Sequence, residues 1–365
     1  MIKVKDKRKI LDDRDLVEEE IQEVLPHKYI ITSYGADYTV DGLVKRMKEG
    51  SIKIPSFQRA FVWNIKQASR FIESLLLGLP VPGIFLSKDQ DSQKLIVIDG
   101  QQRLKTLHYF YNGIFGEGES SKEAIPFTLE NVQQDFKDKT YTSLSEENKR
   151  KLDDSIIHAT IVKQDVPTED DSSIYFIFER LNTGGLDLQP QEIRACIYHG
   201  EFNDLLRRLN SNKDWRYLYG TKNIRMRDEE IILRFFAFYF EWEKYSKPVK
   251  GFLNKFMRRN RNLRKHSEAE LEKLFSETVA AIRKSIGKTA FKPKGRFLAA
   301  MADCLMVGVA KRLEKNKPLS PKKTKSNYHR LLGDVDFIEA ITTNTSDENN
   351  VKYRMGKLID TFKNV

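Results

Sequence analysis

Cysteine is almost missing from this chain: Cys196 and Cys304 are the two thiols in 365 residues. Two thiols support no disulfide framework and cannot form a metal site by themselves. Each lies in an apolar helical pattern, which predicts a buried side chain. Histidine is also sparse, six in all, with no His-x-x-x-His spacing, so no metal ligand set is expected. Long apolar runs are lacking too. None approaches the roughly 20 residues needed to cross a bilayer. The opening Met1-Ile2-Lys3-Val4-Lys5-Asp6 is too charged for a signal peptide. These absences point to a cytoplasmic protein with no membrane association. No internal repeat is visible.

Acid is in deficit. Sixty-three Lys and Arg against 52 Asp and Glu leave a net charge of +11. A basic balance of this size favours a polyanionic partner, nucleic acid first and an acidic membrane surface second. Two segments concentrate it. Arg258-Arg259-Asn260-Arg261-Asn262-Leu263-Arg264-Lys265 is one, and its Arg258, Arg259, Arg261, Arg264 and Lys265 are candidates for phosphate-backbone contact. Lys315 to Lys325, with two prolines, reads as an exposed loop. For both, a merely solvated surface is the competing reading.

Periodicity divides the chain in two. Residues 1–165 alternate helical and extended patterns. Helices are expected at Asp12–Leu25, Val40–Glu49 (closed by Gly50), 65–77 (ending at Gly78), 101–112 (closed by Gly113) and near 145–153. Strands are expected at Tyr29–Thr32, Ile84–Leu86, Leu95–Ile98 and Ala159–Val162, with a hairpin turn around Asp89–Ser92. Ile52 to Arg59, interrupted by Pro55, reads as an edge strand or extended loop. From Asp170 onward strand signals nearly vanish. Helices are expected at Ser172–Leu181, Leu188–Tyr198, Phe202–Leu209, Asp228–Tyr245, 267–286, 296–314 and 350–363. The fold class is therefore α+β, with an α+β domain over 1–165 and an all-helical domain over 166–365.

Three polar constellations could carry chemistry. In the first, the strand Leu95-Ile96-Val97-Ile98 runs into Asp99-Gly100-Gln101-Gln102-Arg103 at the start of a helix. Asp99 as N-cap with Gln102 as its capping-box partner explains two of the five residues. It does not explain Gly100, a poor helix former, or Arg103, whose charge opposes the helix dipole. A bound phosphate would account for both. The second is Phe57-Gln58-Arg59-Ala60-Phe61-Val62-Trp63. It could stack a nucleobase, but taken alone the aromatics read as core with Arg59 covering them. The third, Glu179-Arg180-Leu181-Asn182-Thr183-Gly184-Gly185, is a helix C-cap or an anion nest, with capping the safer reading. Gly287-Lys288-Thr289 is no P-loop, because Ile282 stands where the first glycine is required and no strand precedes it.

Taken together, and in this order, the motifs are specific. Ile54-Pro55-Ser56-Phe57-Gln58-Arg59, Trp63, Ser74-Leu75-Leu76-Leu77-Gly78-Leu79-Pro80-Val81-Pro82, Ile98-Asp99-Gly100-Gln101-Gln102-Arg103, Phe178 to Gly185 and Gln191-Glu192-Ile193-Arg194 closely resemble the N-terminal domain of GmrSD-type restriction proteins, long catalogued as domain of unknown function 262. The resemblance covers about residues 30–240.

The resemblance implies a ParB/sulfiredoxin-like α+β domain that binds and hydrolyses a nucleoside triphosphate and takes part in sensing modified phage DNA. Asp99 would position a metal or water, and Arg103 would stabilise phosphate charge. Gly100, Gln101 and Gln102 would line the phosphates. Gln58 and Arg59 would approach across the sheet, and Asn182, Thr183, Gly184 and Gly185 would close the site from the helical side. The expected cofactors are a nucleoside triphosphate, with GTP, UTP, CTP and ATP not distinguished, and Mg2+. The expected partners are DNA, modified phage DNA among them, a separate nuclease subunit and a second copy of the chain. The His-Asn-His motif of the second domain in many relatives is not found, so nicking or cutting by this chain alone is not expected. Two alternatives stand beside this reading: a sensing module that turns nothing over, and a ParB-like nuclease acting through Asp99.

Overall fold

The computed structural model describes residues 30–54, 61–89, 92–116, 124–166, 175, 177, 189–223, 225–293, 295–315 and 319–363. The chain divides by internal contact into two units. One is Lys28–Leu188 together with Ala195–Ile197, and the other holds most of the residues from Gln189 onward.

The first unit is built on a small sheet packed against helices. Its elements are β1 (Ile30–Thr39), α1 (Val40–Lys48), β2 (Ile52–Lys53), α2 (Ile65–Leu76), β3 (Ile84–Lys88), β4 (Leu95–Asp99), α3 (Gln101–Asn112), the small hairpin β5 (Ile114–Phe115) and β6 (Ile125–Pro126), α4 (Glu146–Asp153) and β7 (Ile156–Val166). Five strands form one mixed sheet in the order β1-β7-β3-β4-β2. β1 and β7 run antiparallel, as do β3 and β4, whereas β3 pairs with β7 and β4 with β2 in parallel. Ile157, Ala159 and Ile161 of β7 and Leu86 and Val97 of the central strands face a core completed by the helices. Val40 and Leu43 of α1, Ala68, Ile72 and Leu75 of α2, and Leu104, Leu107 and Phe110 of α3 supply the other side.

Most element boundaries follow from local chemistry. Asn64 and Gln67 form a reciprocal capping box at the start of α2. Gly113 closes α3 in the left-handed conformation, φ 76°. β2 is an edge strand of the sheet. β1 and β7 are longer than their sequence patterns, because each extends along the other over ten paired positions.

The second unit is helical: α5 (Pro190–Ile197), α6 (Glu201–Leu209), α7 (Lys213–Tyr219), α8 (Arg227–Glu241) with a 3-10 turn after it (Trp242–Lys244), α9 (Val249–Asn260), α10 (Glu268–Ser285), α11 (Ala299–Leu313), α12 (Pro321–Leu332), α13 (Val335–Ala340) and α14 (Glu348–Phe362). The expected loop at Lys315 to Lys325 is corrected by α12. Pro321 is the first helical residue, where its missing N–H matters least, and Ser320 caps the turn by accepting from the Lys323 backbone. Both cysteines are buried and free, and burial pushes the Cys304 thiol up to about 12.

Candidate functional site

The apolar run Leu95 to Ile98 is buried, and its strand delivers Asp99 to the sheet's rim opposite Phe85. Gly100 then turns the chain into α3 with φ 100°. A Cβ at this position would also fall 2.4 Å from Ile84 Cγ2. Glycine is required here twice over, by backbone conformation and by close approach to β3.

The expected capping box at Asp99 and Gln102 does not form. Gly100 is the N-cap, and it has no side chain with which to accept from the first turn of α3. The Gln102 side chain turns elsewhere: its Oε1 accepts from Val62 N at 2.9 Å and Trp63 N at 3.2 Å. The glutamine thereby fastens to the corner the chain that follows residues 55–60.

Arg103 lies in the first turn, with its side chain 13% exposed. One guanidinium nitrogen donates to Asp99 Oδ2 at 2.7 Å and the other to Pro82 O at 3.0 Å. Its charge opposes the dipole at this end of the helix, and the Asp99 carboxylate compensates for it. Asp99 itself remains 44% exposed. The corner thus presents an anchored guanidinium and an accessible carboxylate at the start of a helix.

Gln58 and Arg59, and Asn182, Thr183, Gly184 and Gly185, lie outside the described residues. Their convergence on Arg103 is therefore no part of the geometry. Gln101 sits half-buried in the first turn of α3. The Pro82 carbonyl has no signal of its own in the sequence, since its part is played by backbone.

The Gln191-Glu192-Ile193-Arg194 motif has a structural occupation within the helical unit. Glu192 Oε2 accepts from Gln189 N, and Arg225 donates to both Glu192 oxygens. Arg194 is buried against Glu230 at 2.8 Å and Asn254 at 2.8 Å. Among the described residues no group of three or more His, Cys, Asp or Glu is gathered where a metal could be held. No helix among them is long and apolar enough to cross a membrane.

The basic segment 258–265 is partly engaged. Arg258 and Arg259 end α9, and Arg259 is paired with Glu241 at 2.5 Å. Arg261 Nε donates to His199 O at 2.6 Å, while its own carbonyl accepts from Phe202 N. Arg264 and Lys265 are exposed.

Comparison with known proteins agrees with the order of motifs. One curated protein, an uncharacterized protein of Methanocaldococcus jannaschii, is 29% identical over 131 residues. That match takes in 29% of this chain and 22% of the archaeal protein, so the likeness is confined to about a fifth of the relative's length. A family model described as GmrSD restriction endonuclease, N-terminal domain, matches residues 40–199. The span begins after β1 and contains strands β2, β3, β4 and β7 and the whole Asp99–Arg103 corner. Over residues 40–199 this chain is thus similar to the N-terminal domain of GmrSD restriction endonucleases.

Proposed function

We propose that the Asp99–Arg103 corner binds a nucleoside triphosphate and that its hydrolysis, in an anti-phage restriction system, gates a nuclease carried on another chain. The observation that carries this reading is the arginine in the first turn of α3, anchored on both sides next to an accessible carboxylate. Backbone N–H groups of a first turn favour an anion, and a guanidinium held on two sides presents its remaining N–H groups without further ordering.

Asp99 fits the same picture. A carboxylate beside a phosphate site repels the ligand unless a cation lies between them. Mg2+ is commonly held by one or two carboxylates plus phosphate oxygens. Asp99, accessible and bonded through one oxygen, supplies such a carboxylate. Bound there, Mg2+ would neutralise phosphate charge. Arg103 would hold the phosphate side, and Gln102 would keep Val62 and Trp63 in place beside it. Gln58, Arg59, Gln101 and Asn182 to Gly185 complete the proposed binding set, within a fold we read as ParB/sulfiredoxin-like. Modified DNA is the proposed signal, with Arg258, Arg264 and Lys265 among its contacts.

The test is a panel of the four ribonucleoside triphosphates with Mg2+ and purified full-length protein. Losing charge-assisted bonds of about 1.5–3 kcal/mol, Arg103→Ala is expected to weaken binding by roughly 10- to 150-fold. Arg103→Lys, which keeps the charge, should retain part of it. Because Arg103 also holds the Pro82 loop, thermal unfolding of each variant accompanies the measurement. Equal binding and turnover in a folded Arg103→Ala protein would sink the proposal.

A further inference from the structure

The helix α12 was legible in sequence only as a basic loop, and its folding sorts those charges onto one side. Thr324, Tyr328 and Leu331, spaced by four and three, form its buried stripe. The Tyr328 hydroxyl donates to Ala290 O at 3.1 Å, which pins the helix's rotation. Lys322, Lys323, Lys325, His329 and Arg330 are then all exposed. They lie in two adjacent rows along the helix, 322–325–329 and 323–330, with Ser326 between the latter two.

Among the described residues no acid is bonded to this face. The helix contains no acidic residue. The acids that flank it in sequence are engaged elsewhere: Asp334 with Lys357 at 2.8 Å, and Glu314 with Lys311 at 2.9 Å and the Tyr239 hydroxyl. No carboxylate pairs with Lys322, Lys323, Lys325 or Arg330 among the described residues. Lys322 and Lys323 also occupy the first turn, the positive end of the dipole, where acid is the favoured charge. Each such placement opposes helix stability by a few tenths of a kcal/mol. A row of phosphates would relieve every one of them together.

We propose that the exposed face of α12 is a docking surface for the phosphate backbone of duplex DNA. The surface lies outside the matched family domain, and it deepens the DNA part of the proposed function without depending on the nucleotide corner. From Lys322 to Arg330 the helix rises about 12 Å, the axial run of roughly three phosphates on one strand. The contacts are to backbone charge, so this surface binds DNA without regard to base sequence. Its arginine and lysines are open, in contrast to Arg259 and Arg261 of the 258–265 segment, which are bonded within the protein.

The experiment is fluorescence anisotropy of a labelled 30-base-pair duplex with the full-length chain across a salt series. The quadruple variant Lys322→Gln, Lys323→Gln, Lys325→Gln, Arg330→Gln is compared with wild type and with a variant carrying Arg at the three lysines. The variant is expected to lose about tenfold or more in affinity, and its log–log salt slope should flatten by about 3, at about 0.9 per lost phosphate contact. The three-arginine variant should keep both. Thermal unfolding of the same proteins shows that they are folded, and nucleotide binding measured beside it separates failure here from failure at the corner. An unchanged slope in the quadruple variant, no duplex binding by the wild type, or binding only to phosphatidylserine vesicles would each overturn the proposal.

Discussion

Gly100 shows how a single residue is constrained from two directions. Its backbone lies at φ 100°, and β3 leaves no room for a side chain. Gly100→Ala combines a left-handed penalty of about 1–2 kcal/mol with overpacking of about 1–3 kcal/mol against Ile84. A loss of about 2–5 kcal/mol in urea unfolding is expected, and a smaller loss when the same substitution is made in an Ile84→Ala background. A loss under about 0.5 kcal/mol would mean that the corner relaxes more easily than its geometry implies. The glycine was conspicuous in sequence as a poor helix former at a helix start, but the reason was not. Its partner Ile84 arrives through strand pairing, which no local pattern encodes. Arg103 gives the same lesson. Its unfavourable place in the first turn could be read directly, yet the group that compensates for it is the chain's own Asp99.

At the scale of elements, α8 is the most heavily charged buried helix. Asp228, Glu229, Glu230 and Arg234 are all buried on it. Asp228 is paired with Arg216 at 2.8 Å and Glu230 with Arg194 at 2.8 Å. Glu229 has no such cation. Asn210 donates to one of its oxygens, and the other has no partner. Burial first, and the neighbouring Asp228 charge second, raise its pKa above the ordinary carboxylate value. A raised folded pKa means that the folded state holds the proton more tightly. The associated stability is complete below the unfolded pKa and is lost as pH climbs through the folded one. Glu229→Gln keeps the acceptor for Asn210 and removes that loss. It is expected to raise the unfolding midpoint at pH 7 by about 2–4 °C per kcal/mol recovered, with no gain at pH 4. An equal gain at both pH values would exclude the ionisation as its cause. Helices with strong caps and glycine stops, such as α2 and α3, were readable to within a residue or two. α12 was not, since its two neighbouring prolines and lysine run resemble a loop until Pro321 is seen to occupy the first helical position.

Across the whole molecule, the two units have separate buried centres, and that of the helical unit includes an ionic cluster. Asp303 is fully buried, held by two bonds from Arg234 at 3.0 and 2.7 Å, with Arg354 at 3.8 Å. Asp303→Ala leaves two buried guanidinium groups short of their counter-ion. Breaking such a cluster is expected to cost about 3–5 kcal/mol. Unfolding followed through Trp215, buried in that unit, should register the loss. An unaltered Trp215 transition would show that the cluster contributes little to the fold. The sequence by itself determined the α+β and helical division, most element positions and the family resemblance, because apolar periodicity, caps and motif order are local properties. It also marked Asp99 to Arg103 as a place needing explanation. Tertiary structure alone decided what those residues touch. Arg103 meets Pro82 across 21 positions, Gln102 meets Val62 across 40, and α12 turns its cations outward because Tyr328 is pinned against Ala290. Contacts at such separations depend on how the elements pack, and packing is a property of the folded chain as a whole.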